Sequence, residues 1–345
     1  MFNTMGIKHF FIWYKKHFGD CIKEIHYNEH AENIDNLCID LNGVFHPCAQ
    51  KIYEYGDGSR PKGLLVKRIK TGLKWRLKLF SEICEKIEFY RHLVRPKKRI
   101  ILCVDGVAGN AKMSQQRQRR FKSAMTCEDL VHDFDPVCLT PGTMIMDFLT
   151  KYIDWYVRSM QTIHPEWKNL EIIVSNEKVP GEGEHKIIRK IKKLKSKKSN
   201  VAIYGLDADL LVLSLSLHYD NLYIVRESDK YVKRDLYGLP DYVYVPIEMY
   251  KDFILDETHK YCCKKTNDKR IVEDYIIMCF ILGNDFLPSV PSLRINNGDD
   301  DFIMESYGKT FNKLKRYLID TKGDTVKLNL DFFKELMVNL AEKES

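Results

Sequence analysis

The sequence predicts an α/β fold: a central, mostly parallel twisted sheet with helices on both faces and a helical C-terminal part. Three observations carry this. Short apolar runs rich in Ile and Val recur with little alternation, as suits strands covered on both faces. Helical patterns fill the gaps between them. Acidic residues follow the same end of one run after another, where open α/β sheets place their ligand crevice.

In chain order the expected strands are Asn36 to Leu41, Arg99 to Asp105, Leu170 to Asn176, Val201 to Leu206 and Leu222 to Glu227. Helices are expected over Leu77 to Leu93, Lys112 to Ala124, Met144 to Met160, His185 to Leu194 and Glu273 to Leu282. Everything from Glu273 onward reads as helical. Residues 55–75 hold Gly56, Gly58, Pro61, Gly63 and Gly72 among many basic residues, and read as an excursion between the first two strands. Ser196 to Lys198, with the basic run before it from Lys190, reads as the solvated end of a helix and its turn.

Composition narrows the class. The chain has 345 residues, 44% hydrophobic and 30% charged, which excludes a disordered or fibrous protein. Lys plus Arg is 55 and Asp plus Glu is 48, a net of +7; that permits a polyanionic partner without establishing one. No apolar run approaches the ~18 residues of a membrane span. The run His9 to Tyr14 is too short for a signal-peptide core. The ten cysteines form no CxxC pair. A soluble intracellular protein is expected, cytoplasmic rather than nuclear, with reduced thiols and neither disulfide nor structural zinc.

The first strand ends in Asp40, followed by Asn42-Gly43, and the second in Asp105-Gly106. The third leads into Glu182-Gly183-Glu184, and the fourth ends in Asp207-Ala208-Asp209. With Asp285, these are the candidate catalytic and metal-binding carboxylates. So many carboxylates in one crevice repel one another and need cations. Oxygen-only ligation favours Mg²⁺ or Mn²⁺ over zinc. Two such ions stabilise both the attacking and the leaving oxygen of a phosphodiester displacement. Glu182 and Glu184 point apart on a regular helix, but converge if Glu182 lies in the glycine-bounded turn and Glu184 opens the helix. Taken singly, each acid has a plainer reading: Asp207 or Asp209 as a helix cap, Asp105 as a turn start, Asp40 as an anchor of the Asn42-Gly43 turn.

Lys112, Gln116, Arg119 and Arg120 fall at i, i+4, i+7 and i+8, on one helix face without apolar residues. The helix follows the Asp105 strand end, so its start lies near the crevice. Such a face suits a phosphate, with Gln116 as a neutral donor. The plainer reading is a solvated basic helix.

Six words in order resemble the Xrn-type 5′-to-3′ exoribonuclease family. They are Ile39 to His46, Asp105 to Phe121, Thr140 to Thr143, Val179 to Ile187, Tyr204 to Leu210 and Cys279 to Leu293. The resemblance implies a PIN/5′-nuclease-like domain over residues 5–310, with the basic excursion 55–75, and a helical extension over 311–345. It implies that Asp40, Asp105, Glu182, Glu184, Asp207, Asp209 and Asp285 bind the metal ions. Lys112, Gln116, Arg119 and Arg120 then form the pocket for a 5′-monophosphate, and His46 stacks on the first base. The implied activity is processive hydrolysis of 5′-monophosphorylated single-stranded RNA to mononucleotides. Gly109 stands where the family usually has Pro, and the excursion is longer than the family pattern. Family members continue into a second homologous region that encloses the site. A minimal member, a fragment, or a site completed by a protein partner are the readings that follow. Lys-, Asn- and Ile-rich usage with few Ala points to an A/T-rich genome, and so to a viral member. Two other classes stay open: a DNA-directed 5′ flap-type nuclease, and a catalytically incomplete RNA-binding member.

Overall fold

The structure, a computed structural model, describes residues 14, 16–17, 19, 22–25, 33–54, 70–126, 134–194, 196–207, 209–227, 242–262, 266–284, 287, 290, 293, 299–322 and 325–342. Its strands are β1 (Lys23–Ile25), β2 (Asn36–Asp40), β3 (Arg99–Cys103), β4 (Glu171–Ser175), β5 (Val201–Tyr204), β6 (Leu222–Glu227), β7 (Tyr242–Pro246), β8 (Ile319–Lys322) and β9 (Thr325–Leu328). The first seven form one sheet in the order β1-β7-β6-β5-β2-β3-β4. Its helices are α1 (Asn42–Tyr53), α2 (Leu73–Val94), α3 (Asn110–Thr126), α4 (Met144–Ile163), α5 (Pro165–Lys168) and α6 (Gly183–Lys192). They continue as α7 (Asp209–Leu215), α8 (Ile247–Tyr261), α9 (Asp268–Ile281), α10 (Asp299–Leu314) and α11 (Leu330–Ala341). No described helix is long and apolar enough to cross a membrane.

The chain divides into two compact units. One comprises Ile25–Leu206 and Val225–Tyr242, the other Met1–Glu24, Asp207–Ile224 and Val243–Ser345.

In the first of these, β2 pairs in parallel with both β3 and β5, and β3 with β4. Alternation is absent from the inner strands because both faces are covered. Leu37, Cys38 and Ile39 are fully buried, as are Ile100 to Cys103 and Val201 to Ile203. The expected two-sided cover fails at β4, where Glu171 is exposed and Ile172 to Val174 are half-buried. That strand lies at the sheet edge, so it has a neighbour on one side only. Asn42-Gly43 opens α1 directly instead of forming a turn. Leu41 N–H donates to Cys103 O at 2.9 Å, and Val104 N–H to Ser175 O at 2.9 Å. These bonds extend the ladders past the strand ends and fix the backbone that carries Asp40 and Asp105. Gly106 and Gly181 each take part in a further bond, Gly106 N–H to Gly181 O and Gly181 N–H to Val107 O, both 2.9 Å. The glycine-rich turn before α6 is thereby tied to the end of β3.

In the other unit, helix α9 carries a buried acid. Asp274 of α9 is fully buried and accepts from Tyr307 Oη at 2.7 Å, Leu318 N–H at 2.8 Å and Ile319 N–H at 3.0 Å. One carboxylate thus ties α9, α10 and the start of β8. The C-terminal part is helical, but an antiparallel hairpin, β8 with β9, interrupts it. Ile319, Thr321, Thr325 and Val326 are β-branched, which disfavours helix there.

Candidate active site

The centre of the candidate site is the first turn of α6. Glu182 is its N-cap residue, in extended conformation, and Glu184 lies in the first turn, buried. Between them, Gly183 N–H donates to Asp105 Oδ1 at 2.6 Å. A Cβ on Gly183 would overlap Asp40 Oδ1 and stand 3.2 Å from Asp40 Cγ and 3.4 Å from Asp105 Oδ1. Two carboxylates from adjacent strand ends therefore close on one Cα, and only glycine leaves them room. The helix N-terminus carries partial positive charge, which favours carboxylates there.

Asn42, the first residue of α1, holds the two strand ends in register. Its N–H donates to Asp40 Oδ1 at 3.2 Å, and its own Oδ1 accepts from Asp105 N–H at 2.9 Å. Behind them lies Lys186, buried, whose Nζ donates to Val104 O at 2.7 Å and Asn176 O at 2.8 Å. That ammonium clamps the ends of β3 and β4. Burial holds its pKa below the usual lysine value, and Cys103 and Asp105 pull it part of the way back. The Cys103 thiol is pushed up to about 12, by burial first and then by the Asp40 charge, so it is no nucleophile. The His185 imidazole is also pushed down by burial; Glu182 opposes this, and Arg189 and Lys112 add to it.

Lys112 of α3 points inward. Its Nζ pairs with Glu182 Oε2 at 2.8 Å, with the two side chains only 7% and 12% exposed. The sequence reading set the start of this face near the crevice but did not anticipate the burial of Lys112 against Glu182. On the same helix Gln116 is half-buried, and Arg120 donates to Thr140 Oγ1 at 2.8 Å, which joins the basic helix to the Thr140 to Thr143 turn. Arg119 lies on α3 as well. His46 is half-buried on α1.

The structure thus brings Asp40 and Asp105 together at Gly183 and pairs Lys112 with Glu182, with Glu184 in the same first turn of α6. Asp207 and Asp209 belong to the other unit, three and five residues past the last residue of β5. Asp207 O accepts from Leu210 N–H at 3.3 Å and Asp209 opens α7. Asp285 lies outside the described residues, as do Arg60, Lys62, Lys67 and Arg68 of the basic excursion. Sequence reasoning missed Asn42 and Lys186. A signal existed for both, since each lies inside a quoted motif, but nothing in the motif distinguishes a clamp from a neighbour.

The donor set is all carboxylate oxygen, which fits a hard divalent cation. Among the described residues, no three His, Cys, Asp or Glu side chains form a group placed to hold a metal ion. What is described is a pair, Asp40 with Asp105, flanked by Glu182 and Glu184.

Parallel strands that carry Asp40 and Asp105 at their ends define an α/β protein with an acidic site at the carboxyl edge of its sheet. Residues 5–228 match the family model described as XRN 5′-3′ exonuclease N-terminus, and residues 265–345 match the one described as Xrn1 helical domain. The chain belongs to the Xrn 5′-3′ exonuclease family. It is 31% identical over 430 residues to the 5′-3′ exoribonuclease 2 homolog of Drosophila melanogaster, covering 99% of this chain and 44% of that protein. It is 30% identical to 5′-3′ exoribonuclease 1 of Saccharomyces cerevisiae (92% of this chain, 21% of that protein) and of Homo sapiens (98% and 20%). The chain spans less than half the length of these relatives. Among solved structures, the catalytic core of Rad2 in complex with DNA matches with a TM-score of 0.44 at 13% identity, over 99% of this chain and 81% of that one. A likeness that distant carries no argument.

Proposed function

We propose that this chain is a metal-dependent 5′-to-3′ exoribonuclease that acts on 5′-monophosphorylated single-stranded RNA and releases mononucleotides. The observation that carries the reading is the convergence of Asp40 and Asp105 on Gly183, between Glu182 and Glu184. The names of the relatives and the family match support it. Asp40, Asp105, Glu182 and Glu184 are the residues proposed to hold divalent cations. Asp207, Asp209 and Asp285 enter the proposal on their sequence motifs alone. Mg²⁺ or Mn²⁺, as two ions, would supply an activated water and stabilise the departing 3′-oxygen.

The protein's own side chains do the rest. Asn42 and Gly183 N–H orient Asp105, and Lys186 fixes the backbone behind it. Lys112, with Gln116, Arg119 and Arg120, is proposed to receive the 5′-phosphate. In the described state the Lys112 charge is met by Glu182, so an arriving phosphate competes for that ammonium. A doubly charged terminal phosphate competes better than an uncharged 5′-hydroxyl, which gives the pocket its selectivity. His46 is proposed to stack on the first base. A protein partner that completes the enclosure belongs to the same proposal.

The test uses one RNA oligomer, 3′-labelled, with a 5′-monophosphate or a 5′-hydroxyl, in Mg²⁺ and in EDTA. The expected result is stepwise 5′ shortening of the phosphorylated RNA only, and only with Mg²⁺. Equal cleavage of both RNAs would remove the phosphate pocket. A folded chain that binds RNA but cleaves neither would replace the enzymatic reading with a binding one.

A further inference from the structure

We propose that the amino edge of the parallel sheet, opposite the carboxylate crevice, is a second RNA-binding surface that grips the phosphate backbone independently of the 5′ end. The loops leading into β2, β3, β4 and β5 are hydrogen-bonded to one another there. Asn200 O accepts from Asp35 N–H at 2.9 Å, Lys97 N–H donates to Ile34 O at 3.0 Å, and Glu171 N–H donates to Lys98 O at 2.9 Å. Helix α6 starts at the carboxylate turn, and its lysine-rich end leads through residues 196–200 into the start of β5 at this edge.

Six exposed lysines stand on these segments: Lys97, Lys168, Lys192, Lys193, Lys197 and Lys198. None of them pairs with a carboxylate among the described residues. Two of the nearby acids are taken by other cations, Asp35 by Lys98 at 3.0 Å and Glu171 by Arg99 at 2.5 Å, and Glu166 lies on α5 beside Lys168. A favourable interaction with the helix dipole accounts for Lys192 and Lys193 at the end of α6. It does not account for Lys97, Lys197 and Lys198, which lie in loops. Strands β2 and β3 are five residues long, so about 17 Å separates the two edges of the sheet. That exceeds the ~8 Å over which charge is felt through physiological salt, so the crevice carboxylates do not neutralise these lysines. Exposed ammonium groups that pair with no described carboxylate fit a polyanion with regularly spaced charges. RNA is the polyanion favoured by the function proposed above, from which this choice is taken.

The probe is a circular single-stranded RNA of about 40 nucleotides, which has no 5′ end to enter the crevice. Binding is measured by anisotropy in EDTA, against salt, for the full chain and for the K192E/K193E/K197E/K198E variant, with a four-fold Lys→Gln variant as the milder form. At about −0.7 in log K per log salt for each phosphate contact, loss of four contacts flattens the slope by about 3. The same slope gives a weakening of up to about 200-fold at 0.15 M salt, with the Gln variant falling between. Cleavage of a short 5′-monophosphorylated oligomer is expected to stay unchanged, because none of the four lysines belongs to the crevice. Equal binding of the circle by wild type and variants would overturn the proposal. So would wild-type binding to phosphatidylserine vesicles without binding to the circle. The readout needs no turnover: an inactive chain whose circle binding falls with the lysines keeps this surface and loses only the proposed cleavage.

Discussion

Replacing Gly183 by Ala is expected to separate the proposed catalysis from folding. The new methyl overlaps Asp40 Oδ1 and stands 3.2 Å from its Cγ. Backbone is not in the way, and Asp40 is a side chain that turns about its own bonds, so the clash is relieved by moving the carboxylate about 1 Å. A misplacement of ~1 Å in a catalytic group costs about 100-fold in rate, or about 2.7 kcal/mol of transition-state stabilisation. Stability moves the other way or stays level, because Ala is favoured over Gly in a helix by about 1 kcal/mol. The assay pair is kcat/KM on a 5′-monophosphorylated oligomer and urea unfolding of the same preparations. A fall of about 100-fold with an unchanged or raised unfolding midpoint is expected. An unaltered kcat/KM would refute the idea that Asp40 must sit against Gly183. Loss of folding would refute the claim that only a side chain yields.

Three further outcomes follow from the same reasoning. Gly106→Ala points a Cβ at the Val179 carbonyl group, 2.8 Å from its carbon, and at Glu177 O at 3.0 Å; here backbone must move, so loss of soluble folded protein is expected, read by circular dichroism. Lys186→Met removes the buried donor to Val104 O, leaves Asn176 O with Val179 N–H alone at 3.2 Å, and is expected to cost about 1–3 kcal/mol in urea unfolding. Asp274 is pushed up to about 6 by burial, against the three hydrogen bonds and Arg270 that pull it down. Its folded pKa exceeds its ordinary 3.8, so the stability it contributes is full below pH 3.8 and is lost as pH rises through about 6. Between pH 5 and 7.5 the wild type should lose about 1 kcal/mol more than Asp274→Asn, and equal slopes would contradict the shift.

Much of the sheet was legible because burial on both faces leaves an unbroken apolar run. All five expected strands are present, β6 with the expected limits and the other four one or two residues shorter. Strand β7 was not expected, although Tyr242 to Pro246 alternates β-formers, because it follows a segment with no clear pattern of its own. The β8–β9 hairpin was absorbed into the helical reading because each strand is only four residues long. In the candidate site, the turn position of Glu182 and the helix-opening position of Glu184 followed from the glycines around them. The inward turn of Lys112 did not, since a helical wheel of polar residues shows a face and not what stands opposite it. Asn42 acts through two short-range bonds that no spacing encodes.

Charge balance at the site yields one more consequence. Asp40, Asp105, Glu182 and Glu184 carry −4 formally; Lys112 and Lys186 return +2, leaving −4 + 2 = −2. That excess, from the four described carboxylates alone, matches one of the two proposed divalent cations. Lys112→Met changes the balance to −3 and strips Glu182 of the ammonium 2.8 Å away. Breaking a buried pair in this way costs about 3–5 kcal/mol in the metal-free protein. A cation in the crevice then restores part of what Lys112 supplied, and ligand at 100 times its Kd stabilises a folded state by about 2.7 kcal/mol. Melting temperature against Mg²⁺ therefore separates the two proteins: both should rise, and the variant should rise further from a lower start. Glu182→Gln added to Lys112→Met removes the orphaned charge and should recover most of the loss without Mg²⁺. If Mg²⁺ shifts wild type and variant equally, Glu182 is not part of the cation site. If it shifts neither, the carboxylates at Gly183 are held together by the protein alone, and their role is structural.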